Sequence, residues 1–252
     1  MKISIITVSF NAAHSIADTF ASVAEQTYSN IEHIVVDGAS TDGTLDIIER
    51  HRANIAKIIS EPDCGIYDAM NKGLRLVTGD IVGFINSDDF YASPEVLARV
   101  AEVFADEHVD ACYGDLCYVE QENVAKVMRY WRSSAFEPGL FSTGWVPPHP
   151  TLYLRRRVLE RHGTFDLHYR IAADFELMAR LIEVHRIKTV YIPQVLVKMR
   201  LGGTTNRSWS NILKQNREIW HALGALHLRP SLASFLFGKL LLRGRQFFAR
   251  PA

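Results

Sequence analysis

Residues 3–10, ISIITVSF, and residues 31–40, IEHIVVDGAS, are runs of β-branched and apolar residues that break off in Ser or Asp. Such runs read as strands with a polar end. Between them the chain from about Ser15 to Gln26 reads as a helix, and a second helix is expected from about Thr44 to His51 before the strand IAKIIS, residues 55–60. The same alternation continues through a helix around Tyr67 to Val77, the strand DIVGFINSDD (80–89), a helix opened by Ser93-Pro94-Glu95 and the strand VDACYGDLCYV (109–119). Strands alternating with helices predict βαβ units, hence a Rossmann-like α/β fold whose mostly parallel sheet is flanked by helices. Ligands of such sheets sit beyond the carboxyl ends of the strands. Ser9 and Asn11 after the first strand, Asp37 after the second, and Asp88 and Asp89 after the fourth should therefore converge on one crevice.

The 252 residues are 48% hydrophobic, enough for a large packed core. Lys plus Arg balance Asp plus Glu at 28 each, so no global field favours nucleic acid and any charge logic is local. Cys64, Cys112 and Cys117 are odd in number and lack metal-site spacing, which suits a reducing compartment. MKISIITVSFNAAHS reads as a buried strand rather than a signal peptide, and SFLFGKLLLRGRQFF (234–248) is broken by Lys239, Arg243 and Arg245 before it could span a bilayer. From about Met128 to Pro150 the pattern turns irregular, rich in Pro, Gly and aromatics, and the helix-like AADFELMARLIEV (172–184) follows.

Two adjacent carboxylates, Asp88 and Asp89, follow an apolar strand with Asn86 and Ser87 leading in. Mg²⁺ characteristically takes one or two carboxylates and completes its shell with substrate phosphates, so this pair is a metal-ligand candidate; a turn that caps the next helix is the alternative. Asp37 is a candidate acceptor for a base N–H or a ribose hydroxyl, whereas Asp42 reads as a helix cap. No GxGxxG follows the first strand and GxxxxGK[ST] is absent, so a dinucleotide dehydrogenase or P-loop enzyme lacks its phosphate loop.

The ordered series TVSFN, VVDGASTDGT, SEPDCGIYDAMNKG, TGDIVGFINSDDFY, PPHPTLYLRR and IAADFELMARL resembles the family 2 inverting glycosyltransferases with a GT-A fold, in particular bacterial members that build exopolysaccharide and O-antigen units. The resemblance covers about residues 1–205. It implies that Thr7, Ser9 and Asn11 cradle a nucleotide and that Asp37 reads its base, with Gly38 departing from the family's VDDGSTDGT pattern. It further implies that Asp63 faces the nucleotide and that Lys72 either approaches the diphosphate or is a solvated helix residue. By the same resemblance Asn86 and Asp88 lie on the donor side, with Asp88 towards the ribose, and Asp89 holds Mn²⁺ or Mg²⁺. Asp174 is implied as the catalytic base, with Ala173 where Glu is common and Glu176 as the fallback; an ordinary helix cap is the alternative reading of Asp174. His149 would line the acceptor side, and Arg200, Gly202 and Gly203 resemble a loop that closes over the donor.

These roles imply a metal-dependent single displacement with inversion, using a nucleotide-sugar donor (UDP-sugar ahead of GDP-sugar) and a glycan or lipid-linked acceptor. A sugar nucleotidyltransferase would need a glycine-rich basic loop where FNAAHSIA stands, and an inactive binding module would have no use for Asp89 and Asp174. Residues 206–252 are expected to form a helical C-terminal extension to the domain of residues 1–205. Phe235, Leu236, Leu240 and Phe247 beside Arg229, Lys239, Arg243, Arg245 and Arg250 suit either an anionic membrane surface, on the cytoplasmic face of an inner membrane, or packing onto the catalytic domain.

Overall fold

The computed structural model describes residues 1–202, 209–231 and the single positions 235, 238 and 244. The chain runs β1 (Ile3–Ser9), α1 (Ile16–Ala24), β2 (Ile31–Asp37), α2 (Thr44–Arg50), β3 (Lys57–Ser60), α3 (Ile66–Leu74), β4 (Ile81–Phe84), β5 (Asp89–Tyr91) and α4 (Val96–Val103). It continues with β6 (Ala111–Val119), β7 (Val127–Trp131), β8 (Tyr153–Arg155), α5 (Arg156–His162), α6 (Ala173–Met178), β9 (Thr189–Arg200) and α7 (Trp209–Ala225).

All the strands join one sheet in the order β3-β2-β1-β4-β8-β6-β9-β5, with β7 paired to β6. The first four pair in parallel, as the βαβ alternation requires. Beyond β4 the pairing is mixed: β8 is antiparallel to both β4 and β6, and β9 is parallel to β6 but antiparallel to β5. The run expected as one strand over residues 80–89 divides into β4 and β5, because Asn86, Ser87 and Asp88 turn and the Asp89 amide donates to the Asn86 carbonyl at 3.1 Å. β5 then pairs at the far edge of the sheet. Four strand steps of about 4.8 Å exceed what residues 85–88 can span at about 3.5 Å each, so the sheet must curl to bring that edge back.

Both sheet faces are covered, which is why β1, β2 and β4 read as unbroken apolar runs. Alternate residues divide between them. Ile6, Val8, Ile34, Val36, Val82 and Phe84 pack with Tyr67, Ala69 and Met70 of α3, whereas Ile3, Ile5 and Ile81 pack with Val100 and Phe104 on the α4 side. Gly73 lets α3 sit directly on β1, since a Cβ there would stand 2.6 Å from Ile6 Cγ2.

In the C-terminal extension, α7 lies against α6, and Ile219, Ala222 and Leu223 are buried in the main core. Phe235 belongs to that core too: it is 2% exposed, with its ring centroid 5.8 Å from that of Trp220. The expectation that Phe235 faces a membrane is therefore corrected, because its apolar area is already covered by the protein. Arg229 likewise sits over the Trp220 ring. Leu236, Lys239, Leu240, Arg243, Arg245, Phe247 and Arg250 lie outside the described residues, as does Gly203. No helix among the described residues is long and apolar enough to cross a membrane.

Candidate active site

The parallel register sets Ser9 beside Asp37 and Asp37 beside Ser60, so three strand ends meet at one carboxylate. Asp37, fully buried, accepts hydrogen bonds from Ser9 Oγ, the Ser40 amide, Ser40 Oγ and Ser60 Oγ. Its acceptor capacity is thus largely occupied within the protein, and it acts in this geometry as the hub of the crevice floor rather than as an open ligand. Ser40 Oγ also accepts from the Asn11 amide, and Asn11 Oδ1 accepts from the Thr41 amide, which holds Asn11 at a positive φ of 50°. Thr7 points elsewhere. Its hydroxyl meets His33 Nε2 at 2.9 Å inside the core, where burial lowers the imidazole pKa to about 4. A direct contact of the Thr7 side chain with a nucleotide is not what this geometry provides, because Thr7, on the same face as Ser9 but two residues back from the strand end, is fully buried. Asp42 was expected to cap α2, but the N-cap is Gly43 and makes no side-chain bond; Asp42 stands one residue earlier and accepts from the Thr44 amide at 3.1 Å.

Asp63 lies directly over Gly38. A Cβ at position 38 would stand 2.5 Å from Asp63 Oδ2 and 3.4 Å from the Phe10 ring. Asp63 Oδ1 accepts from the Gly65 amide, and Oδ2 accepts nothing among the described residues. Phe10 is 66% exposed at the end of an otherwise buried strand. Its reading from sequence was missed, although an aromatic between Ser9 and Asn11 at a strand end is the available signal. Lys72 does not reach out of its helix: its ammonium donates to the Pro62 carbonyl at 2.7 Å and pairs with Glu61 at 2.8 Å. The diphosphate alternative for Lys72 thus gives way to an internal one, in which its charge holds the loop that carries Asp63.

The β1–β4 register runs to Ile6 and Phe84, so the turn Asn86–Asp89 follows at the same end of the sheet at which β1 and β2 finish in Ser9 and Asp37. Thr19 Oγ1 of α1 donates to the Asp89 carbonyl at 2.7 Å. Arg200, at the end of β9, donates to the Asp88 carbonyl at 3.1 Å and pairs with Asp18 of α1. Its charge is thus used to hold the turn, not left free to cover a donor. Asp89 is fully buried; Asn86 Nδ2 donates to its Oδ2 at 3.1 Å, while Asp89 Oδ1 and Asn86 Oδ1 are buried without a hydrogen-bond partner. Burial and the neighbouring Asp88 charge hold the Asp89 carboxyl well above the usual carboxylate range. One oxygen each of Asn86 and Asp89, both buried and orphaned, are hard donors that a divalent cation satisfies, with the remaining positions left to phosphate and water. The residues present therefore fit Mn²⁺ or Mg²⁺.

Asp174 enters from the other side, in the first turn of α6. The N-cap residue is Ala172, which makes no side-chain cap bond. Asp174 Oδ1 accepts from the Phe175 amide at 2.8 Å and lies 3.0 Å from Tyr67 Oη, whereas Oδ2 accepts nothing among the described residues. His149 is buried against Phe84 and Phe165 with its Nε2 unpartnered, and burial lowers its pKa against the opposing pull of Asp174. A neutral imidazole thus neighbours the carboxylate. Glu176, the fallback base, is removed by its contacts: 6% exposed, it is gripped by Arg180 through Nε at 2.8 Å and Nη2 at 3.1 Å.

The family described as "Glycosyl transferase family 2" matches residues 4–173. An uncharacterized glycosyltransferase of Mycobacterium tuberculosis is 31% identical over 250 residues, covering 98% of this chain and 92% of its own. A PGL/p-HBAD biosynthesis glycosyltransferase of Mycobacterium bovis is 32% identical over 209 residues, covering 81% of this chain and 78% of its own. Among solved structures, S. aureus TarS in complex with UDP-GlcNAc superposes with a TM-score of 0.69 at 20% identity, covering 96% of this chain and 73% of that one. The mannosyltransferase PcManGT of Pyrobaculum calidifontis, in complex with GDP-Man and Mn²⁺, gives 0.62 at 22% identity, covering 100% and 76%. At these identities the structural likeness bears on the fold, which is GT-A.

Proposed function

This chain belongs to glycosyl transferase family 2, and on that premise we propose that it is a metal-dependent, inverting enzyme that moves a sugar from a nucleoside-diphosphate donor to a glycan or lipid-linked acceptor. The observation that carries the reading is the pair of orphaned, buried oxygens on Asn86 and Asp89 at the strand-end crevice. A divalent ion bound there with the donor diphosphate would stabilise the charge that develops on the leaving group. Asn86 and Asp89 would hold that ion and Asp88 would lie towards the ribose, while Arg200 with Thr19 keeps the turn in place.

On the nucleotide side, Ser9, Asn11 and the Asp37 hub form the floor, and the exposed Phe10 ring offers a flat face to a base. Asp63 has one spare oxygen. It matches the single ring N–H of uracil better than the two donor groups of guanine, which favours a UDP-sugar over a GDP-sugar.

Asp174 serves as general base. Its Oδ2 takes the proton of the acceptor hydroxyl as that oxygen attacks the anomeric carbon from the side opposite the diphosphate. His149, neutral and next to Asp174, lines the acceptor side without adding charge. The Lys and Arg residues after Glu218 suit an anionic membrane surface that presents a lipid-linked acceptor. Because Phe235 is part of the core, vesicle sedimentation should compare the intact chain with a Lys239, Arg243 and Arg245→Gln variant; equal sedimentation removes the membrane component.

The central test is thermal stabilisation by UDP-GlcNAc and by GDP-mannose, each with and without Mn²⁺. Stabilisation that needs both nucleotide sugar and Mn²⁺, and is lost in Asp89→Ala, is the expected result. Binding unaffected by Mn²⁺ and by that substitution would overturn the metal assignment.

A further inference from the structure

The segment that presents Asp174 is gripped from two elements distant in sequence. From α3, Tyr67 Oη lies 3.0 Å from Asp174 Oδ1 and 3.0 Å from the Ile171 carbonyl. From α7, Glu218 Oε2 accepts the Ile171 amide at 2.8 Å and the Ala172 amide at 3.0 Å. The amides at the start of a helix lack intrahelical partners, and Ala172 has no side-chain oxygen to serve them. Glu218 holds the amide of the N-cap residue and the amide before it, from 46 and 47 positions along the chain. The family match ends at residue 173, so this contact comes from outside the matched segment.

We propose that Tyr67 and Glu218 are positioning residues for the catalytic base: Glu218 fixes the entry to α6, and Tyr67 occupies one oxygen of Asp174 so that the other faces the acceptor. The inference rests on Asp174 being the base. Burial and the Asp174 charge hold the Tyr67 phenol well above its ordinary range, so it remains a donor at any working pH. A hydrogen bond from a neutral donor to a charged oxygen is of the strong kind, and it favours the ionised carboxyl. The titratable groups facing this cluster are Tyr67 from α3, His149 from the turn before β8, Tyr169 from the loop before α6, Asp174 itself, and Glu218 from α7. Glu176 faces Arg180 instead. Tyr67 and Glu218 act differently in this arrangement. Loss of the phenol hydroxyl removes a donor from the carboxylate, whereas Glu218→Gln removes a negative charge near it and weakens the grip on the two amides.

The test uses the full chain with Mn²⁺ and UDP-GlcNAc or GDP-mannose, reading nucleoside diphosphate release and, separately, deuterium uptake of the peptide spanning 170–176. Tyr67→Phe should lower kcat about tenfold with donor affinity kept, and should move the acid limb of the rate profile to higher pH. It should cost nothing further in an Asp174→Asn background. Glu218→Ala should raise deuterium uptake at Ile171 and Ala172 and lower kcat, with Glu218→Gln intermediate in both and without the upward pH shift. If Asp174→Asn loses turnover while Tyr67→Phe keeps wild-type kcat and profile and Glu218→Ala leaves uptake unchanged, the positioning roles are overturned and the base stands. If Asp174→Asn keeps full turnover, the base assignment itself fails, whatever the exchange data show.

Discussion

The Asp63 carboxylate occupies the space above Gly38 that a side chain at position 38 would need, with only 2.5 Å between its Oδ2 and a Cβ placed there. The two residues are therefore a matched pair: the absence of a side chain on one sets the position of the other. Gly38→Ala should push Asp63 off its site while leaving the fold intact, because the displaced atom is the end of a side chain and not backbone. Donor affinity is expected to fall about tenfold, roughly one charged hydrogen bond, with the melting temperature of the ligand-free protein nearly unchanged. Titration calorimetry with UDP checks it, and wild-type affinity would mean that Asp63 does not touch the nucleotide.

Asp89 carries a carboxyl whose pKa is raised by burial and by Asp88. A raised acid pKa means the folded chain binds the proton more tightly, so stability is present at low pH and declines as pH climbs from the unfolded carboxyl value towards the folded one. Asp89→Asn removes the buried charge and should raise the melting temperature of the metal-free protein at pH 8 by a few degrees. It should also abolish the stabilisation by Mn²⁺ with nucleotide sugar. Calorimetric scans at pH 5 and 8, with and without Mn²⁺, decide the matter; a less stable Asp89→Asn protein at pH 8 without metal would contradict it.

Asp174→Asn separates chemistry from binding. Turnover should drop by about 10²–10⁴, the range of a general base, while the affinity for nucleotide sugar stays within about twofold. A parallel loss of affinity would make Asp174 a donor ligand instead.

Glu32 offers a purely structural titration. Burial opposes its ionisation, but the Ser4 hydroxyl, the Thr78 amide and hydroxyl, and Lys2 bring its pKa down to about 2. A lowered carboxyl pKa contributes stability that is complete above the unfolded value of 4.5 and is lost as pH falls towards 2. Glu32→Gln should therefore destabilise the protein by about 2 kcal/mol at pH 7, somewhat less than the full shift converts to, and the difference should shrink steadily below pH 4. Urea titrations across that range measure it.

The parallel half was legible from sequence because each strand there is local to its helix and carries its own polar terminus. The turn before Asp89 was not, because Ile85 continues the apolar run of β4 into Asn86 and residues 80–89 read as one strand. The second half was not, since β8 and β9 take their neighbours from distant parts of the chain and no local pattern announces an antiparallel partner. Side-chain direction was the other gap. The family resemblance put Thr7, Lys72 and Arg200 near a ligand, but only the folded chain reveals that Thr7 meets His33, Lys72 meets Glu61 and Arg200 meets Asp18. Tyr67 stood unassigned within SEPDCGIYDAMNKG and Glu218 lay in no motif, because their significance is in contacts that span 107 and 47 positions.

The pairing of β5 with β9 bears on the order in which the chain matures. Asp89 stands opposite Met199, and Leu116 opposite Val197, so the far edge of the sheet closes only after about 110 intervening residues have been made. Strands β1 to β4 need no such wait. Distant pairings form late because loop closure must precede them. A chain emerging from the ribosome can thus assemble the Asp37 side of its crevice early, but the turn bearing Asp89 remains without its Arg200 brace until β9 has been synthesised and docked.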